Sequence, residues 1–113
     1  MRYKWIDATI AAELAIKEVL IRMEPKLEAI FRYLQSPPID RLYGEVLKSI
    51  AGTKPIKDDI NKLRKGVEKR NILIHRPETI KLDHDEVTGY VDFIDGLIHW
   101  LLELYRRKKR ESS

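Results

Sequence analysis

Among the side chains that could do chemistry, the ones whose types and spacing agree best are Arg70, Asn71 and His75. An imidazole, with an ordinary pKa near about 6.5, exchanges a proton at neutral pH. A guanidinium is permanently charged and forked, a shape that fits phosphate oxygens. An amide beside it can hold either group, or a substrate, by hydrogen bonds. Cutting a phosphodiester next to a ribose 2′-hydroxyl without metal needs such a base and such a cation: one removes the hydroxyl proton, the other stabilises the phosphorane. On one straight helix, residues five apart point about 140° away from each other, so a single copy converges poorly on one phosphate. Two copies across a two-fold axis can supply both groups to one bond.

Other candidates are weaker. His84 stands between Asp83 and Asp85, a grouping that suggests metal, but helix-start capping explains the acids more simply and no metal is expected. His99 falls on the polar side of the last helical pattern. Phe93 and Trp100 could stack on bases, although at helical spacing they read first as packing residues. Arg76 and Lys81 follow the motif closely and extend its positive surface, which makes them candidate substrate-binding residues.

The elements that must position these groups are helices. From about Trp5 to Leu34, apolar residues recur at Ala12, Ile16, Val19, Met23, Leu27, Ile30 and Leu34 in steps of four and three. The phase is unbroken across Pro25, which favours one kinked helix over two. Ile6, Ile10, Leu14 and Ile21 add a second strip, so a further neighbour is expected on that side. Ser36 is a candidate N-cap ahead of Pro37 and Pro38. Ile39, Leu42, Tyr43, Val46, Leu47 and Ile50 then form a buried face that Gly52 ends.

The third pattern opens at Thr53-Lys54-Pro55 and runs to His75, where Pro77 forces a stop. Ile56, Ile60, Leu63, Val67 and Ile74 share its apolar stripe, with Arg70 and Asn71 on the flanks, where polar groups need partners. Ile72 points away, among Asp58, Lys62, Lys65 and Lys69, onto a surface that a second subunit could cover. Asp83 and Glu86 read as a capping box for a last helix reaching about Arg107. Val87, Val91, Ile94, Ile98, Leu101 and Tyr105 form one stripe of it, and Phe93, Leu97, Trp100 and Leu104 another. Gly89 and Gly96 lie beside the large aromatics and suit close approach of a neighbouring helix. With no alternating strand pattern, the expectation is an all-α chain: a four- to five-helix up-and-down bundle with short loops.

Composition sets the bounds. The 113 residues, 43% apolar and 35% charged, fit one domain over 1–113 with a basic tail from about residue 106. There is no cysteine, which excludes disulfides, thiolate zinc sites and cysteine nucleophiles. No apolar run is long enough to span a bilayer, so a cytoplasmic protein without membrane contact is expected. The net charge of +4 and pI near 9.3 favour an anionic partner, although Arg106-Arg107-Lys108-Lys109-Arg110 supplies five of the positive charges.

The spacing of one arginine and one histidine is weak evidence alone. Three features narrow it: the asparagine directly after Arg70, the apolar Ile72-Leu73-Ile74 before His75, and a place at the end of the penultimate helix of a small all-α domain. In these respects the chain resembles the HEPN superfamily, whose catalytic members share an arginine and a histidine separated by four to six residues on a four- to five-helix bundle. Outside the motif the likeness is architectural.

The resemblance implies a metal-independent endoribonuclease that needs no cofactor, with Arg70, His75 and Asn71 catalytic. It also implies a homodimer in which both motifs line one cleft, RNA as substrate, and 2′,3′-cyclic phosphate and 5′-hydroxyl ends. Some members are toxins of toxin–antitoxin or abortive-infection systems, which makes an antitoxin protein a candidate partner. Others only bind RNA or nucleotides, and a non-catalytic RNA-binding or protein-interaction module is the alternative reading. In the subgroup paired with minimal nucleotidyltransferase antitoxins, tyrosine follows the histidine after one residue. Here Arg76-Pro77 follow, so the resemblance carries the ribonuclease motif and not that pairing.

Overall fold

The computed structural model describes residues 2–35, 37–52 and 57–111. Among these residues the chain is all-helical, with five helices and no strand. Helix α1 is Arg2–Met23 and α2 is Leu27–Tyr33. Helix α3 begins as Ile39–Arg41, widens into a π-helical turn over Leu42–Val46, and closes as Leu47–Ala51. Helix α4 is Lys57–His75 and α5 is His84–Glu111, with a 3₁₀ turn, Pro77–Thr79, between them.

Helix α1 is the hub. It packs along most of α5 and also meets α3 and α4, because Trp5, Ala8, Ala12, Ile16, Val19 and Leu20 turn a continuous face inward. The small Ala8 and Ala12 keep the helices close, and larger side chains such as Leu63, Ile94 and Leu101 fill the space around them. Burying each of these larger aliphatics contributes roughly 1.5–3 kcal/mol. Trp5 stacks on Tyr90, and the Arg22 guanidinium lies 5.8 Å from the Tyr105 ring, so α1 and α5 run parallel. Helix α4 runs the opposite way to α5, since Lys62 reaches Phe93 while Lys69 reaches Glu86. Helix α3 closes one side, with Gly44 against Ile60 and Tyr43 edge-on to Trp100 at 5.8 Å. At about 1.5 Å per residue, the 28 residues of α5 account for most of the molecule's 49 Å length.

Several expectations change. Pro25 ends α1 instead of kinking it. Its ring cannot donate a backbone hydrogen bond and crowds the preceding turn, and residues 24–26 form a tight turn in which Leu27 N–H donates to Glu24 O at 3.0 Å and Glu28 N–H to Pro25 O at 3.1 Å. In a straight helix residues 17 and 31 would lie about 21 Å apart along the axis. Here the Lys17 ammonium stands 5.9 Å from the Phe31 ring. The second strip of α1 is only half covered: Ile6 and Ile21 are partly buried, while Ile10 and Leu14 are 42% and 64% exposed.

On α4 the buried face is rotated from the one expected. Leu63, Gly66 and Leu73 are buried, and Ile74 is 52% exposed. Gly66 and Leu73 lie to one side of Leu63 around the helix and Ile74 to the other. The glycine lets Tyr90 approach on its own side, so the packed face shifts toward it. Ile72 is half-buried rather than an open patch. Gly89 and Gly96 do not mark close approach either, because a Cβ at either would meet nothing within 4 Å. Gly66 has that role: a Cβ there would overlap the Tyr90 ring and hydroxyl.

Gly52 ends α3 as expected, in the left-handed conformation at φ 73°, with its N–H donating to Lys48 O. At the start of α5, Glu86 pairs with Lys69 of α4 instead of reaching back to Asp83. The last helix continues through the basic run to Glu111, tied by pairs such as Arg106–Glu103 and Lys108–Glu111. The expectations for Ser36, for Thr53-Lys54-Pro55 and for Ile56 lie outside the described residues.

Candidate functional site

The turn of α4 that leads into the motif is held by four residues from three helices. Trp5 donates from its indole Nε1 to the Gly66 carbonyl at 3.0 Å and stacks on Tyr90, with ring centroids 3.8 Å apart and planes 11° off parallel. The Thr9 hydroxyl donates to the Trp5 carbonyl at 3.0 Å, so the Tyr90 hydroxyl, 2.6 Å from Thr9 Oγ1, is the donor in that contact. Burial raises the Tyr90 phenol above its ordinary value, and Thr9 and the nearby charge of Arg70 work in the other direction. The Gly66 carbonyl is also the normal helical acceptor for the Arg70 N–H. The backbone position of Arg70 is therefore fixed by the aromatic stack below it.

The Arg70 side chain, 20% exposed, emerges between α4 and α1, where Nη1 lies 3.7 Å from Glu13 Oε2. Its Nε donates to Asn71 Oδ1 at 3.3 Å. This meets the expectation that a guanidinium flanking the buried stripe needs a partner, but the partner comes from a helix that sequence spacing could not point to. Exposed aliphatics occur on the same two helices: Ile10 and Leu14 on α1, and Ile74 on α4.

His75 is the last residue of α4 and is exposed, as are Asn71, Arg76 and Lys81. The helix ends there as Pro77 requires, with the Arg76 N–H donating to Ile72 O at 2.7 Å. Arg76 then leaves the helical region, at φ −143° and ψ 63°. Within one copy the fold joins Arg70 to Asn71. It places His75 about 7.5 Å further along the axis and about 140° around it.

Of the other candidates, His99 is exposed and its Nδ1 lies 2.8 Å from the Asp95 carbonyl of its own helix. Trp100 is half-buried against Tyr43, a packing role, and Phe93 is half-buried. Among the described residues, no three His, Cys, Asp or Glu side chains gather as metal ligands, and no helix is long and apolar enough to cross a membrane.

One arrangement escaped the sequence reading. Lys62, Lys65 and Lys69 line a cleft of about 300 Å³ between α4 and α5, with Trp5, Tyr90 and Phe93 as its aromatic wall. The signal was present as the steps of three and four that put these lysines and Gly66 on one helical face. It reads as an ordinary solvated face until the aromatics of α1 and α5 are brought beneath it. Comparison with family models, curated proteins and solved structures returns no match for this chain.

Proposed function

We propose that the chain is a metal-independent endoribonuclease of HEPN type that works as a homodimer, with Arg70 and His75 essential and Asn71 supporting. The observation that carries this reading is the setting of Arg70. Its backbone is fixed by the bond of Trp5 to Gly66, and its guanidinium is held between α1 and α4 by Glu13 and Asn71, on helices that also expose Ile10, Leu14 and Ile74. A positioned cation beside exposed aliphatic side chains suits a second copy that brings a proton-transfer group to it.

In the proposed reaction the partner's His75 takes the proton of a ribose 2′-hydroxyl. The 2′-oxygen attacks the adjacent phosphorus, the bond to the 5′-oxygen breaks, and the departing 5′-oxygen takes up a proton from solvent. Arg70 stabilises the charge that builds on the phosphorane oxygens, and Asn71 holds its Nε face. The products are a 2′,3′-cyclic phosphate and a 5′-hydroxyl. Arg76 and Lys81 extend the positive surface for flanking phosphates, and an antitoxin partner that covers this surface fits the same reading. A non-catalytic RNA-binding module is the second reading, favoured by the fact that Arg70 already has a carboxylate partner.

The test is incubation of purified protein with structured RNA in EDTA, with analysis of the product ends. Arg70→Ala and His75→Ala are each expected to lower cleavage by roughly 10²- to 10⁴-fold. Mixing the two inactive variants is expected to restore about a quarter of the activity, because half the dimers are mixed and each keeps one intact site. Unchanged RNA at high wild-type concentration would leave the binding-module reading. No recovery on mixing would place both groups of a site on one chain.

A further inference from the structure

We infer that the cleft between α4 and α5 is a nucleotide-binding site, one that takes a single nucleotide unit with its phosphate on Lys62 and Lys65 and its base against Phe93. It lies apart from the motif, since neither Arg70 nor His75 lines it. Its binding does not depend on whether those residues cut RNA.

Three observations point to this ligand chemistry. The first is charge. Lys62, Lys65 and Lys69 share one face of α4, and the acid among the lining residues, Glu86, is already paired with Lys69. Among the described residues neither Lys62 nor Lys65, which line the cleft, is in an ion pair. The second is the aromatic wall. The Lys62 ammonium sits 5.5 Å from the Phe93 ring centroid and that of Lys69 4.9 Å from Trp5. Trp5 and Tyr90 are almost wholly buried and already stacked on each other, but Phe93 is only partly buried and has the flexible Lys62 head over its ring. When that head swings onto a phosphate, the ring face opens for a base to stack.

The third is shape. Gly66 and Gly89 form part of the lining, and a side chain at Gly89 would project into open space. A cavity of about 300 Å³ is at the small end of ligand sites, enough for one nucleotide and too narrow for a duplex. An acidic peptide would use the lysines but not the ring face, so the combination favours a phosphate joined to a flat base.

The same chemistry is carried by a free mononucleotide and by one unit of a single-stranded RNA, and the experiment separates them. Binding is read by fluorescence anisotropy of a labelled oligouridine in a His75→Ala background, so that cleavage does not intervene. Lys62→Glu/Lys65→Glu is expected to weaken binding at least tenfold and to reduce the log–log salt slope by about 0.7 per lysine. Gly89→Leu, which fills the cleft without touching the packed core, is expected to weaken it at least fivefold with no fall in the melting temperature. Competition by uridine or adenosine monophosphate identifies a mononucleotide site. Failure to compete, with oligouridine binding still lost in both variants, identifies a strand site.

The inference is overturned if both variants bind as wild type, or if polyglutamate or a blunt RNA duplex of equal charge competes as well as oligouridine. RNA left uncut by the wild-type protein would alone strike the ribonuclease reading and leave the cleft standing. Retained cleavage with unaltered binding in the two variants would do the reverse.

Discussion

Two stretches of α4, four residues apart, are built on opposite principles. Around Gly66 the helix is pinned: its carbonyl is bonded by Trp5, and the missing Cβ makes room for Tyr90. Thr9 closes the knot, with no buried polar side-chain atom left unpaired among the described residues. From Arg70 to His75 the helix is presented: one guanidinium on a long, partly exposed ion pair, one amide against it, and an exposed imidazole at the end. The contrast teaches that the rigidity of the motif is borrowed. Within residues 70–75 only Leu73 is buried, and Arg70, Asn71 and His75 take their direction from that anchor and from the turn below them.

If so, the largest effect on the presented end comes from breaking the pinned one. Trp5→Ala removes the stack on Tyr90, the bond to Gly66 and the ring under Lys69. It is expected to cost about 3–5 kcal/mol, the range for a buried aromatic truncated to alanine. That is a large share of the stability of a domain this size. Denaturant unfolding measures it. A loss below about 1 kcal/mol would show that the knot is ornamental and that α4 is held elsewhere.

The same substitution at two glycines sharpens the point. Gly66→Ala forces a methyl into Tyr90, which is held by both its stack and its hydrogen bond and cannot step aside. The expected net cost is about 1–3 kcal/mol, typical of overpacking, even after the gain in helix propensity. Gly89→Ala adds a methyl in open space in the second turn of α5, and is expected to stabilise by about 0.5–1 kcal/mol. Thermal melts of the two variants should move in opposite directions. Equal shifts would mean that propensity alone, and not helix approach, sets the role of glycine here.

These glycines also show where the sequence was legible and where it was not. Periodicity located the buried faces of α1, α3 and α5, because apolar spacing is a local property: Ala12, Ile16 and Val19 face inward as their steps of four and three require. It misjudged Pro25, since a regular phase on both sides says nothing about whether the chain continues straight between them. It assigned close approach to Gly89 and Gly96 because large aromatics are their sequence neighbours, whereas the approach occurs at Gly66, whose neighbour Tyr90 is 24 positions away. Arg70, Asn71 and His75 were readable by type and spacing. Glu13, the lysine cleft and the Thr9–Tyr90 bond were not, because each joins helices whose register no single sequence reveals.

The smallest expected effect tests the tether on Arg70. The Glu13 and Arg70 side chains are 33% and 20% exposed and the pair is 3.7 Å long, so it contributes less than about 1 kcal/mol to stability. Glu13→Gln keeps an oxygen that can accept from the guanidinium and removes the charge that competes with a phosphate. The melting temperature is therefore expected to fall by less than about 5 °C, while binding of single-stranded RNA by the His75→Ala protein tightens severalfold, since a nearby negative charge no longer repels the backbone. A much larger drop in melting temperature would make Glu13–Arg70 part of the pinned region and erase the distinction drawn between the two stretches. Tighter binding accompanied by slower cleavage in the wild-type background would show that the carboxylate aims the guanidinium as well as occupying it, and that the resting pair is a working part of the site.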